Sequence, residues 1–105
     1  MRVTGWTSGS PNTETGGGYG IRISRADRHQ YFSRDWPSVS LLLDGGHQVT
    51  VNVSASFWRG CPALRHQEIG RWMLARGLAP WAFGKPPALE LSPIGARQFR
   101  LEECT

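Results

Sequence analysis

The strongest constraint on the fold is a pair of alternating segments that flank a glycine-rich turn. Valine or leucine recurs at every second position of residues 38–43, and valine does so in residues 48–53. Successive side chains of a strand point to opposite faces, so each segment has one apolar and one polar face. The residues from Asp44 to His47 include two adjacent glycines, which adopt the positive φ values of a tight turn at no steric cost. The pattern predicts an antiparallel hairpin with one face in a core and the other in water.

Three shorter segments also favour strands. Residues 20–24 alternate between apolar and polar side chains, as do residues 88–91 and residues 98–101. Pro93 and Gly95 interrupt the chain between the last two segments, which favours a second hairpin.

Two helices are predicted from residues that favour helix ends. Ser24 is followed three positions later by Asp27, which is the spacing of an N-terminal capping box and predicts a short helix that ends at Tyr31 or Phe32. Residues 62–76 begin with a proline, which is favoured in the first turn of a helix. Gly77 follows them directly, and glycine is the residue that most often ends a helix. We therefore expect a second, longer helix over residues 62–76.

The ends of the chain carry few signals of regular structure. Residues 1–18 are rich in Gly, Ser and Thr, and Trp6 is their only aromatic residue. We expect them to form a flexible arm, followed by a single domain over residues 19–102 and a tail over residues 103–105. Residues 1–10 lack the apolar stretch of a secretory signal, so we expect none.

The order of the segments points to an α+β domain. Hydrophobic residues make up 39% of the 105 residues and charged residues 19%, a composition that argues against both a disordered chain and a membrane protein. The strands come in hairpins, with no helix placed to connect parallel strands. We predict a curled antiparallel sheet, or partly open barrel, of about five strands with one short and one longer helix.

The net charge is positive and is carried almost entirely by arginine. Lysine and arginine together number 12 against 8 acidic residues, a formal charge of +4, and Lys85 is the only lysine. Guanidinium groups bind phosphates bidentately and stack on bases, so this bias suits a nucleic-acid partner. The alternative is a general enrichment in arginine caused by codon usage in a GC-rich genome.

Arginine is interleaved with aromatic residues in three parts of the chain, residues 25–36, 58–59 and 71–72. This mixture suits phosphate contact and base stacking. We predict a small, non-enzymatic nucleic-acid-binding domain in a cytoplasmic setting, with DNA favoured over RNA. The predicted contact residues are Arg25, Arg28, Arg34, Arg59, Arg71 and Trp58. Trp36, Trp72 and Trp81 are expected in the core instead, because tryptophan buries a large area.

A second hypothesis is a protein-interaction or regulatory adaptor module that presents the helix 62–76 to a partner protein. Arginine and tryptophan are enriched at interface hot spots. The residues predicted for this face are Arg65, Ile69, Trp72 and Arg76. Both a monomer and a homodimer remain open, since exposed hairpin strands can pair between copies.

Catalysis and metal binding find little support in the sequence. Cys61 and Cys104 are the only cysteines, and without a secretory signal we expect both to be reduced thiols. Cys61 would lie at the start of the predicted longer helix, where the helix dipole favours a thiolate nucleophile, but a small buried residue is the favoured interpretation. His66 follows Cys61 without a second pair at zinc-ligand spacing, so we expect no metal and no cofactor.

The order of elements resembles that of the B3-like DNA-binding pseudobarrels, a family with a curled antiparallel sheet and two short helices. The similar elements are the strand from Ile21 to Ser24 with the helix after it, the hairpin from Val39 to Val53, and the strands around Leu89 and Phe99. The resemblance covers residues 19–102. It implies DNA contact by basic side chains on strand edges and loops, and no catalysis.

Overall fold

A computed structural model describes residues 1–43 and 46–104 of the chain. The described residues form an α+β fold with seven strands and three helices. The elements in chain order are β1 (Arg2–Thr7), β2 (Tyr19–Arg22), α1 (Arg25–Tyr31), β3 (Ser38–Leu42), β4 (Gln48–Asn52), α2 (Ala55–Arg59), β5 (Ala63–Arg65), α3 (Gln67–Ala75), β6 (Ala88–Gly95) and β7 (Gln98–Glu103). None of these helices is long and apolar enough to cross a membrane.

All seven strands belong to one sheet, in the order β4-β3-β7-β6-β1-β2-β5. Neighbouring strands are antiparallel except for β3 and β7, which run parallel, so the sheet is mixed. The outermost strands β4 and β5 pack beside each other, which nearly closes the sheet into a barrel. The predicted α+β class and partly open barrel are confirmed. The expected number of about five strands is wrong, because β1 and β5 are strands that the sequence patterns did not indicate. The expected antiparallel sheet is wrong for the pair of β3 and β7, and the described residues contain a third helix, α2, beyond the two that were expected.

The predicted hairpins and the first helix are confirmed. β3 pairs with β4 and β6 pairs with β7, both antiparallel. The Ser24 hydroxyl accepts a hydrogen bond from the Asp27 amide at 3.1 Å and thereby caps α1. Gly46 has the positive φ expected in the first turn (79°), whereas Asp44 and Gly45 lie outside the described residues.

The prediction of an arm over residues 1–18 is wrong for β1. This strand lies inside the sheet, between β6 and β2, and Val3 is only 1% exposed. The folded domain therefore begins near residue 2 and not at residue 19. Alternation failed as a signal here because Gly5 occupies an inward position, where the side chains of Trp81 and Pro87 supply the packing.

The boundary at the other end also moves, since β7 continues to Glu103, which the sequence had placed in the tail.

The predicted helix over residues 62–76 is wrong in its first turn. Residues 63–65 form β5, which pairs with β2, and α3 begins only at Gln67. The imidazole Nδ1 of His66 accepts a hydrogen bond from the Glu68 amide at 3.0 Å and caps this helix. Backbone hydrogen bonding of residues 63–65 to β2 thus outweighed the helix signal of Pro62. The local sequence does not indicate pairing with a strand so far away in the chain.

The core is formed by inward side chains of the strands together with buried side chains of α2 and α3. Its largest fully buried side chains include Tyr19, Phe57 and Phe99, which come from three distant parts of the chain. Among the tryptophans expected in the core, Trp72 is buried, whereas Trp36 and Trp81 are half-buried against its edge.

Candidate nucleic-acid interface

The position of Trp58 is set by the short helix α2. Phe57, the residue before it, is fully buried, and its ring packs against that of Phe32 at the end of α1, with centroids 5.1 Å apart. The Trp58 ring meets Phe57 edge-on at 5.4 Å and stays half-buried at the surface. An indole held in this way presents a fixed aromatic plane at the boundary between core and water.

Two guanidinium groups lie over this indole. The Arg34 Cζ atom is 4.7 Å from the centroid of the Trp58 ring, and that of Arg28 is 5.4 Å away. Both distances are in the range of cation–π contact. We call these three residues the Trp58 cluster.

Arg28 has a structural task within the Trp58 cluster. Its Nη1 donates hydrogen bonds to the carbonyl oxygens of Phe57 and Trp58, at 2.9 and 3.0 Å. These bonds fasten α1 to the last turn of α2. The guanidinium of Arg28 therefore positions the two helices. Arg34 is exposed and contacts the Trp58 ring, so its charge is the more accessible of the two.

A surface groove opens beside the end of α2. It has a volume of about 440 Å³, and we call it the Cys61 groove. Its lining residues are Arg22, Ile23, Ser24, Arg25, Gly60, Cys61 and Pro62. Arg22 Nη2 lies 3.1 Å from the Cys61 sulfur and donates to it. Arg59, the last residue of α2, directly precedes the lining residue Gly60 in the chain.

Cys61 does not start a helix, because the strand β5 follows it. The dipole argument for a reactive thiol at this position is therefore wrong. Within the described part of the chain, no three His, Cys, Asp or Glu side chains come together as metal ligands.

Ion pairs divide the predicted contact residues into two groups. Arg71 pairs with Glu68 at 2.7 Å and also donates from Nε to the Thr15 carbonyl at 3.1 Å. Among the residues that the structure describes, no carboxylate pairs with Arg25, Arg34 or Arg59. Their charges are exposed and face water.

The structure therefore brings three of the predicted nucleic-acid residues, Arg28, Arg34 and Trp58, into contact. Arg25 and Arg28 come from α1, Arg34 from the loop after it, and Trp58 and Arg59 from α2. Arg71 belongs to α3 and is held by other partners, outside this group. Arg22 was missed, although the alternation in β2 already placed it on the exposed face.

The surface predicted for a protein partner is not present as an exposed face. Ile69 and Trp72 are buried and point into the core. Arg65 lies on β5 and not on the helix, while Arg76 covers the Trp72 ring and pairs with Glu103.

A different apolar feature is exposed instead. Phe83 protrudes fully into water from the loop between α3 and β6. It borders a groove whose lining includes Tyr19, Pro80 and Trp81. The sequence analysis did not single out this loop residue, because an isolated phenylalanine between alanine and glycine carries no periodic signal.

Comparison of the chain with protein-family models, with curated proteins and with solved structures gave no match. The resemblance to B3-like domains therefore stays an expectation. The function is argued below from the residues themselves.

Proposed function

We propose that this chain is a small, non-enzymatic nucleic-acid-binding domain. Its contact surface centres on the Trp58 cluster, with Arg25 and Arg59 beside it. The observation that carries the proposal is the contact of Arg28 and Arg34 with one fixed indole ring, with the exposed Arg25 and Arg59 on the same helices α1 and α2. The preference for DNA over RNA rests on the resemblance to B3-like domains.

Each residue has a distinct task in this proposal. Arg34 is preorganised by its contact with the Trp58 ring, so it loses less side-chain freedom when it binds a phosphate. Arg25 and Arg59 are exposed cations that bind phosphates and release counterions from the nucleic acid. Arg28 holds α1 against α2 and so fixes the relative positions of the two helices that carry Arg25 and Arg59.

Salt dependence of DNA binding is the direct test. Three phosphate contacts by Arg25, Arg34 and Arg59 give an expected log–log slope of about −2.7 for a duplex, at about −0.9 per phosphate. We expect each of R25A, R34A and R59A to reduce the slope by about 0.9. Fluorescence anisotropy of a labelled duplex over a range of NaCl concentrations measures this.

Arg100 provides the matched control, because it is an exposed arginine on the strand β7. R100A should leave the slope of the wild-type protein unchanged. The proposal is wrong if the wild-type slope is near zero for both duplex and single-stranded DNA. It is also wrong if R100A costs as much as R34A, since binding would then follow net charge and not this surface.

A second candidate function, a protein-interaction module, is favoured by the exposed Phe83. A phenylalanine ring in water beside a groove lined by Tyr19 and Trp81 is typical of a contact site. If the partner is a second copy of this chain, we expect sedimentation to show association that increases with protein concentration. The F83S variant should lose this association. A wild-type protein that stays monomeric at all concentrations would exclude that form.

A further inference from the structure

The outer face of the sheet at β1, β2 and β5 carries a second arrangement of aromatic and cationic side chains. Trp6 of β1 is opposite Gly20 of β2, and Gly20 is opposite Arg65 of β5. Directly paired residues point to the same face of a sheet, so Trp6 and Arg65 share a face two strands apart. Gly20 puts no side chain between them. The Arg65 Cζ atom consequently lies 4.7 Å from the centroid of the Trp6 ring.

Gly20 is required for this contact. A Cβ atom at this position would lie 2.2 Å from the carbonyl oxygen of Leu64, which belongs to the backbone of the neighbouring strand. The close approach of β2 and β5 thus depends on glycine. The pairing of β1, β2 and β5 therefore fixes the contact between the Trp6 indole and the Arg65 guanidinium, which we call the planar pair.

Arg22 lies in the next row of the same face. It is opposite Thr4 on β1 and is exposed. Its side chain lines the Cys61 groove and also a neighbouring groove that Arg2 and Thr4 line. The two grooves therefore meet at Arg22. We call Trp6, Arg22 and Arg65 the outer basic face.

Acidic side chains appear at the border of the outer basic face. Arg2 is opposite Glu90 on β6, and Glu90 is opposite Glu102 on β7. Neither Arg22 nor Arg65 forms an ion pair with any residue in the described ranges 1–43 and 46–104. On β6 and β7 the charges of Glu90 and Glu102 offset that of Arg100, so a polyanion is attracted more strongly to β1, β2 and β5.

We propose that the outer basic face binds single-stranded nucleic acid. This inference rests on the proposed function and extends it from the Trp58 cluster, along the Cys61 groove, onto the sheet. A base stacks on the planar pair of Trp6 and Arg65, and the phosphates follow towards Arg22 and Arg25. A duplex keeps its bases stacked on each other, so it cannot use the planar pair, whereas every unpaired base offers a face to it.

The dimensions suit a short single strand. Thr4, which is opposite Arg22, and Trp6 are two residues apart on β1. The row of Arg22 and the row of Trp6 are therefore separated by about 6.8 Å along the strand. Sheet domains of similar size bind about 4–16 nucleotides. An oligothymidylate of about 8 nucleotides, labelled with fluorescein, is therefore the probe, and a duplex of the same length is its comparison.

The test compares affinities for the two probes by fluorescence anisotropy. W6L keeps an apolar side chain but removes the indole plane, and R65A removes the stacked cation. We expect each variant to weaken binding of the oligothymidylate about tenfold while duplex affinity changes less than about twofold. R100A is the control and should leave both affinities unchanged. R65A alters an exposed side chain, so it remains informative if W6L does not fold.

Salt dependence gives a second measurement. R22A should reduce the log–log slope for the oligothymidylate by about 0.7, the value for one phosphate of a single strand. This inference is wrong if R65A leaves the oligothymidylate affinity unchanged, or if R65A weakens binding of both probes equally. In either case the proposed function still stands if the wild-type protein binds duplex. A wild-type protein that binds neither probe overturns both.

Discussion

Gly70→Ala tests whether the glycine-rich segment before β2 is packed against α3. A Cβ atom at Gly70 would lie 2.1 Å from the carbonyl oxygen of Gly16 and 2.7 Å from its carbonyl carbon and Cα. Gly16 has a φ of 81°, a value that favours glycine. The backbones of α3 and of the preceding segment are thus in direct contact.

Two opposing effects determine the result. In a helix that touches nothing, replacing glycine by alanine stabilises by about 1 kcal/mol through helix propensity. Overpacking costs about 1–3 kcal/mol, and the upper value applies here because the opposing atoms are backbone and cannot rotate away. We therefore expect Gly70→Ala to lower the free energy of unfolding by about 2 kcal/mol, the balance of these two effects. In a domain of this size, this corresponds to a fall in Tm of about 8–16 °C.

Thermal and urea denaturation followed by circular dichroism measure the change. Gly9→Ala is the matched control, because a Cβ there would meet no atom of the described residues within 4 Å. Its effect should stay within about 0.5 kcal/mol. If Gly70→Ala instead raises the stability, as at a free helix position, the packing of residues 8–18 on α3 is refuted.

Two further predictions concern β1 and Arg28. Deletion of residues 1–7 should abolish cooperative unfolding in a thermal melt, because it removes a strand that pairs on both sides; a truncated protein with an unchanged Tm would restore the arm interpretation. Arg28→Ala should lower the free energy of unfolding by about 1.5–3 kcal/mol through loss of its bonds to the carbonyls of Phe57 and Trp58. Arg25→Ala, at an exposed position on the same helix, should change it by less than about 0.5 kcal/mol in urea denaturation, and equal losses in the two variants would contradict the task assigned to Arg28.

The candidate site could be predicted only where it is local in the sequence. Arg25, Arg28 and Arg34 lie within ten residues, and their grouping near an aromatic side chain was expected. The hydrogen bonds of Arg28 to the end of α2 were not, because they join residues 29 and 30 positions apart. Arg65 stacks on Trp6, which the sequence had assigned to the arm, and that contact depends on strand register.

The sequence by itself determined the elements whose signals are short-range. Alternation gave the two hairpins, and Ser24 with Asp27 gave the capped helix α1, since the interacting atoms lie within a few residues of each other. Only the tertiary structure decided that residues 2–7 and 63–65 are strands. Both segments are short, and their backbone groups bond to strands outside the segment: β1 pairs with β2 and β6, and β5 pairs with β2. A strand that depends on its neighbours leaves little trace in its own residues.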